Sequence, residues 1–237
     1  PDDVLERFIE DVLPNSQDII VSSFGEPMLY PRLQHLFDQI DQESGLELGF
    51  FTNFLLMDED LAKRMIESGV AYINASIDGA SKETYEAIRK GGNWEELLEK
   101  LELFKRVKKQ MGADHPVVNL CVVGSTLNVD ETADFVDLAH KYGFDSVKFN
   151  PNMYVDDEDM DYLSLVHEQE KTVHKFREGY QRALELDLHT NYHRKPFNVD
   201  VDPKPVAKSG DVSSLQLLVN KTKRLWRNEF AWRMENT

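Results

Sequence analysis

The stretch SSFGEPMLYP, residues 22–31, decides how this chain is read. Before it stands DIIV (18–21), a short run rich in β-branched residues. After it stands RLQHLFDQI (32–40), apolar at helical spacing. The unit is therefore strand, turn, helix. Gly25, Glu26 and Pro27 form its turn. Glycine lets another group approach the backbone closely, and proline sets the exit of the chain. An ordinary turn uses the same residue types. So does a loop that holds a small molecule with its backbone.

The same unit recurs along the chain. LELGFFTN (46–53), VAYINASI (70–77), PVVNLCVVG (116–124) and DSVKFN (145–150) read as further strands, each nearly continuous in apolar residues, as in parallel sheets buried on both faces. Helical segments lie between them. Asp58 is a cap for EDLAKRMIESG, and Ser81 for KETYEAIRK. WEELLEKLELFKRVKKQ and DETADFVDLAHKYG complete the alternation. The segment at 163–186 reads as one long helix, and DLHTNY (187–192) as a sixth strand. The expected fold is α/β: a partial (β/α)6 TIM-like barrel of parallel strands over residues 1–193. Residues 194–237 read as a proline-bearing linker and a helical or extended C-terminal extension.

The bulk properties narrow the function. With 237 residues the chain suits one large α/β domain or a domain with an appendage. Its formal charge of −16, from 43 acids against 27 bases, repels phosphate backbones and argues against nucleic-acid binding. No run of about 18 apolar residues offers a membrane span. The single cysteine, Cys121, makes no internal disulfide, which suits a cytoplasmic protein, and reads as a buried small hydrophobe.

Polar or small clusters close each strand: SSFGEP, TN, SIDGAS, GSTLN and NPN. Ligands of such arrays sit at the carboxyl ends of the strands, so these clusters outline one site. Ser76 and Asp78 lie two apart and share a face, where a hydroxyl and a carboxylate can hold a ribose or a carboxylate group; the alternative is that Asp78 caps the following helix. Arg89 either serves an anion or faces solvent. His167 with His174, and His189 with His193, lack partners at metal-ligand spacing. The acidic run at 156–161 is either a solvated loop or a surface for a basic peptide.

Four segments, in order, resemble the core of radical S-adenosylmethionine (radical SAM) enzymes. SSFGEPMLYPRL resembles the family's Gly-Glu-Pro loop, and FFTNFLLMDEDLAKRMIESGV its next strand, Thr-Asn turn and helix. INASIDGASKETYEAIRKGGNWEELLEKLELFK resembles its Ser-x-Asp-Gly strand end, and VNLCVVGSTLNVDETADFVDLAHKYGFDSVKF its last strand–helix steps. The resemblance implies S-adenosylmethionine (SAM) as cofactor, with Phe24, Gly25, Glu26 and Pro27 around its amine. It implies Thr52 and Asn53 at the mouth, Ser76 and Asp78 at the ribose or methionyl group, Arg89 at the carboxylate, and Val122 and Asn150 beside the adenine. The backbone rather than the Glu26 carboxylate is expected to touch the ligand, so Glu26→Gln is expected to be milder than Gly25→Val.

The resemblance further implies a [4Fe-4S] cluster on three cysteines upstream of Pro1. It implies a 5′-deoxyadenosyl radical that takes hydrogen from a peptide or small-molecule substrate, and an electron donor such as flavodoxin or ferredoxin. Asp211, Val212, Asn220, Trp226 and Asn228 resemble, more loosely, the end of a SPASM-type auxiliary-cluster extension. The missing cysteines keep open a cluster-free binding or scaffold domain. An unrelated barrel aldolase or hydrolase would need a catalytic lysine or carboxylate pair, and Lys148 is the only lysine within a predicted strand.

Overall fold

The structure, a computed structural model, describes residues 2–22, 25–39, 45–152 and 161–192. Phe24, His193, most of the acidic run at 156–161 and the extension at 194–237 with its SPASM-like positions lie outside the described residues.

Six strands follow one another across a single sheet: β1 (Asp18–Val21), β2 (Glu47–Thr52), β3 (Tyr72–Ser76), β4 (Val117–Gly124), β5 (Ser146–Pro151) and β6 (His189–Thr190). All neighbours pair in parallel. The sheet is open, with β1 and β6 at its edges, and is the partial (β/α)6 arrangement expected from the alternation. The helices are α1 (Asp2–Asp11), α2 (Leu33–Asp38), α3 (Glu59–Glu67), α4 (Lys82–Ile88), α5 (Trp94–Met111), α6 (Thr132–Tyr142) and α7 (Gln169–Glu185). They pack α2 on α3, α3 on α5, α5 on α6 and α6 on α7, forming one layer.

Local chemistry starts and stops these helices. Asp58 accepts from the Leu61 amide at 2.8 Å, and Ser81 from the Thr84 amide at 3.3 Å. Asn93 caps α5 through the Glu96 amide at 3.1 Å, and Gly112 ends it at φ 62°. Two boundaries differ from the sequence reading. The segment at 163–186 opens with a 3-10 turn (Leu165–Glu168) capped by Ser164, and α7 begins only at Gln169. β6 shrinks to two residues because the Asn191 side chain takes over the pairing. Its Oδ1 accepts from the Phe149 amide at 2.8 Å and its Nδ2 donates to the Phe149 carbonyl at 3.0 Å.

The register sorts side chains onto two faces, because partners across a parallel ladder point the same way. One face carries Phe50, Ile73, Leu120, Val122 and Phe149, all buried in the helix-covered core. The other carries Asn74, Ser76, Asn119, Cys121, Val123, Ser146, Lys148 and Asn150. Low on this second face the polar groups satisfy one another. Asn119 Nδ2 donates to Asn74 Oδ1 at 2.9 Å, Ser146 Oγ donates to Asn119 Oδ1 at 2.6 Å, and the Cys121 thiol also meets Asn74 Oδ1. Nearer the N-terminal ends of the strands, the Tyr72 ring lies over Gly49, and its hydroxyl donates to Asp18 at 2.8 Å. A side chain at Gly49 would fall 2.1 Å from that ring.

Candidate functional site at the strand ends

Two groups of residues assemble at the carboxyl ends of the strands. The first joins β1 to β2. Glu26 extends across the turn: Oε2 accepts from the Asn53 amide at 2.7 Å and Oε1 from the Met28 amide at 3.2 Å. Thr52 Oγ1 accepts from the Phe54 amide at 3.0 Å and donates to Met28 Sδ at 3.4 Å. Asn53 Oδ1 accepts from the Leu55 amide at 3.0 Å. The side chains of Glu26, Thr52 and Asn53 thus shape the two turns. A Cβ built on Gly25 meets nothing within 4 Å. Pro27 opens a 3-10 turn (Pro27–Leu29) whose N-cap is Glu26.

Glu26 is therefore a structural carboxylate. Glu26→Gln is expected to lower stability by about 1 kcal/mol, because one of two amide donors then faces an NH2 group. Thermal denaturation checks this, with a melting temperature roughly 2–4 °C lower.

The second group joins β3 to β4. Asp78, 5% exposed, lies just past β3. Its Oδ1 accepts from the Val123 amide at 2.8 Å, and its Oδ2 holds Arg89 Nη2 at 2.6 Å. The same Nη2 donates to the Ser76 carbonyl at 3.4 Å. Arg89 Nε is buried and has no hydrogen-bond partner among the described residues. Ser76, Asp78 and Arg89 are thus brought together at one rim. Asp78 does not cap α4; Ser81 does. Gly79 lets this turn close: a Cβ there would stand 2.2 Å from the Tyr85 amide nitrogen.

Val122 is placed elsewhere. It is fully buried on the helix-covered face, so its side chain does not reach the rim. Val123, one residue on, points the other way, is 56% exposed and lies in register with exposed Asn150. The run LCVV (120–123) is continuously apolar and contains no alternation from which the face could be read.

A groove of about 560 Å³ lies beside β1, the edge strand of the sheet among the described residues; it is lined by Leu5, Phe8, Ile20 and Leu33 and reaches Gly25 and Glu26. It includes none of Ser76, Asp78, Arg89 or Asn150, so it belongs to the sheet edge more than to the rim.

The metal readings are bland. His167 bonds Asp161 at 2.9 Å and His174 bonds Glu178 at 3.1 Å, each a surface pair. Among the described residues no group of three or more His, Cys, Asp and Glu side chains could hold a metal ion. Among them, too, no helix is long and apolar enough to cross a membrane.

An open, parallel, partial barrel with a polar rim built from strand-end loops defines a class of ligand-binding α/β proteins. The chain belongs to the radical SAM superfamily, whose family model matches residues 1–139. It is 28% identical over 143 residues to the AdoMet-dependent heme synthase of Methanosarcina barkeri, covering 60% of this chain and 38% of that protein. It is 32% identical over 119 residues to the GTP 3',8-cyclase of Syntrophomonas wolfei, covering 50% of this chain and 35% of that one. The fold matches native anSMEcpe with bound AdoMet and the Cp18Cys peptide at a TM-score of 0.59 and 22% identity, covering 81% of this chain and 55% of that one. The chain thus spans well under two thirds of the length of these relatives.

Proposed function

We propose that this chain is the SAM-binding core of a radical SAM enzyme that removes hydrogen from a peptide or small-molecule substrate. The observation that carries the reading is Arg89, whose buried Nε lacks a partner while Asp78 and Ser76 hold its Nη2. A buried donor left unmade costs about 1–3 kcal/mol, and a ligand carboxylate relieves that cost through a charge-assisted bond. The methionyl carboxylate of SAM is such a group. Its amine would lie against the backbone at Gly25, where a built Cβ meets nothing within 4 Å. The ribose falls to the Ser76 region. Exposed Val123 and Asn150, side by side, offer an apolar and a polar surface to the adenine. In this reading Val123 takes the place first given to Val122.

SAM fits the residues present; a [4Fe-4S] cluster does not. Cluster ligation needs several thiolates, and the sequence has one cysteine, buried and bonded to Asn74. In radical SAM chemistry the cluster supplies the electron that cleaves SAM. The residues of this chain would bind SAM and orient it. The radical step would need thiolates from outside residues 1–237 and a reductant such as flavodoxin or ferredoxin. The names of the relatives, a heme synthase and GTP cyclases, favour a small molecule; the peptide in the anSMEcpe structure keeps peptides in view.

Anaerobic reconstitution of the full-length protein with iron and sulfide tests the reading. With dithionite and SAM it is expected to release 5′-deoxyadenosine. Absence of both cluster absorbance and SAM cleavage overturns the enzymatic reading. SAM binding without either would establish the second reading, a binding or scaffold domain.

Gly25→Val isolates the amine wall. The new side chain meets no protein atom near its Cβ, so the melting temperature should hold. SAM affinity is expected to fall about 10-fold in calorimetry, through loss of close backbone contact and its hydrogen bond.

A further inference from the structure

We propose that Asn128 and Glu131, on the loop between β4 and α6, are positioning residues that set Asp78 and Arg89 for the ligand. The inference rests on the SAM reading of the rim. Asn128 is completely buried, so it acts through other groups. Its Nδ2 donates to the Asp78 carbonyl at 2.9 Å and to the Val123 carbonyl at 3.0 Å, and its Oδ1 accepts from the Ser125 amide at 2.8 Å. The amide side chain is saturated by backbone from two strand ends. Together with the bond from the Val123 amide to Asp78 Oδ1, it clasps Asp78 to β4 by main chain and side chain at once.

Glu131 fixes the other partner. Its Oε2 accepts from the Ala80 amide at 2.7 Å. Its Oε1 accepts from Ser81 Oγ at 2.6 Å and Thr84 Oγ1 at 2.7 Å. All these donors belong to the turn before α4 or to its first turn, and Arg89 is the C-cap of the same seven-residue helix. Holding one end of so short a rod aims the other. Backbone and side-chain contacts thus tie the β3 turn to the β4 loop, and the guanidinium is aimed before any ligand arrives. Such support is what gives a binding group a single geometry.

The contacts suggest a chemical discrimination. If the brace aims Arg89, its loss should weaken a ligand that carries the methionyl carboxylate and spare one that lacks it. The test measures binding of SAM and of 5′-deoxyadenosine to full-length protein, prepared anaerobically, by calorimetry. Glu131→Ala is expected to weaken SAM about 10-fold and leave 5′-deoxyadenosine within about 2-fold. Glu131→Gln, which can still accept from Ala80 and donate to the two hydroxyls, is expected to restore most of the SAM affinity. Thr84→Val removes a single donor and gives the same comparison in milder form should Glu131→Ala not fold. Equal losses for both ligands, no loss for either, or no recovery with glutamine would each overturn the brace. Wild-type protein that does not bind SAM overturns the reading of the rim and the brace with it. Wild-type binding with unmoved variants overturns the brace alone.

Discussion

Arg89→Met is expected to cut SAM affinity about 10- to 100-fold, the loss that follows when a charge-assisted bond to a carboxylate is removed. Methionine keeps the length and apolar bulk of the side chain and removes every donor. Binding of 5′-deoxyadenosine should change little, because that ligand has no carboxylate. The substitution also strands Asp78, whose side chain is 8% exposed and, among the described residues, would keep only the Val123 amide as a donor to its carboxylate. Because Arg89 is itself 36% exposed, the stability cost should be modest, about 1–2 kcal/mol. Calorimetry with the two ligands, beside a thermal melt, separates the effects. Undiminished SAM binding would remove Arg89 from the site.

Gly79→Ala is expected to be the more damaging substitution for the fold. Its Cβ would stand 2.2 Å from the Tyr85 amide nitrogen and 2.4 Å from the Tyr85 Cα. Both are backbone atoms of α4, so no rotamer change relieves the contact. The helix must move, and with it the Ser81 cap, the bonds to Glu131 and the reach of Arg89 to Asp78. Overpacking of this kind costs about 3 kcal/mol, which for a domain of this size lowers the melting temperature by roughly 6–12 °C. SAM binding should weaken with it. A variant that melts like the wild type would show that the turn yields more easily than its packing implies.

Much of the architecture was legible from local chemistry. Apolar runs of strand length alternated with segments of helical period, and Asp58 and Ser81 marked helix starts that hold in the fold. The clusters after each strand pointed to one end of the sheet, because parallel strands bring all their carboxyl ends together. The Ser-x-Asp-Gly strand end brought Ser76 and Asp78 to one rim with Arg89, which lies 13 residues beyond Ser76. Local logic failed where contacts span the chain. The Glu26 carboxylate meets the Asn53 amide 27 residues away, and Asp78 meets the Val123 amide 45 residues away. Neither spacing has a period to reveal it. Asn128 lay in the GSTLN cluster but was given no part, and Glu131 was passed over, for the same reason, although an asparagine closing a Gly-Ser-Thr turn could have marked the loop as bonded.

By itself, the order of residues determined the element types, the parallel alternation and the family, since each depends on neighbours a few positions apart or on motifs kept in sequence. Only the tertiary structure decided which face Val122 and Val123 present, which carboxylate is structural and which guanidinium nitrogen is left without a partner among the described residues. Those outcomes depend on sheet register and on hydrogen bonds between strand ends, and both exist only once distant segments have been brought within about 3 Å of one another.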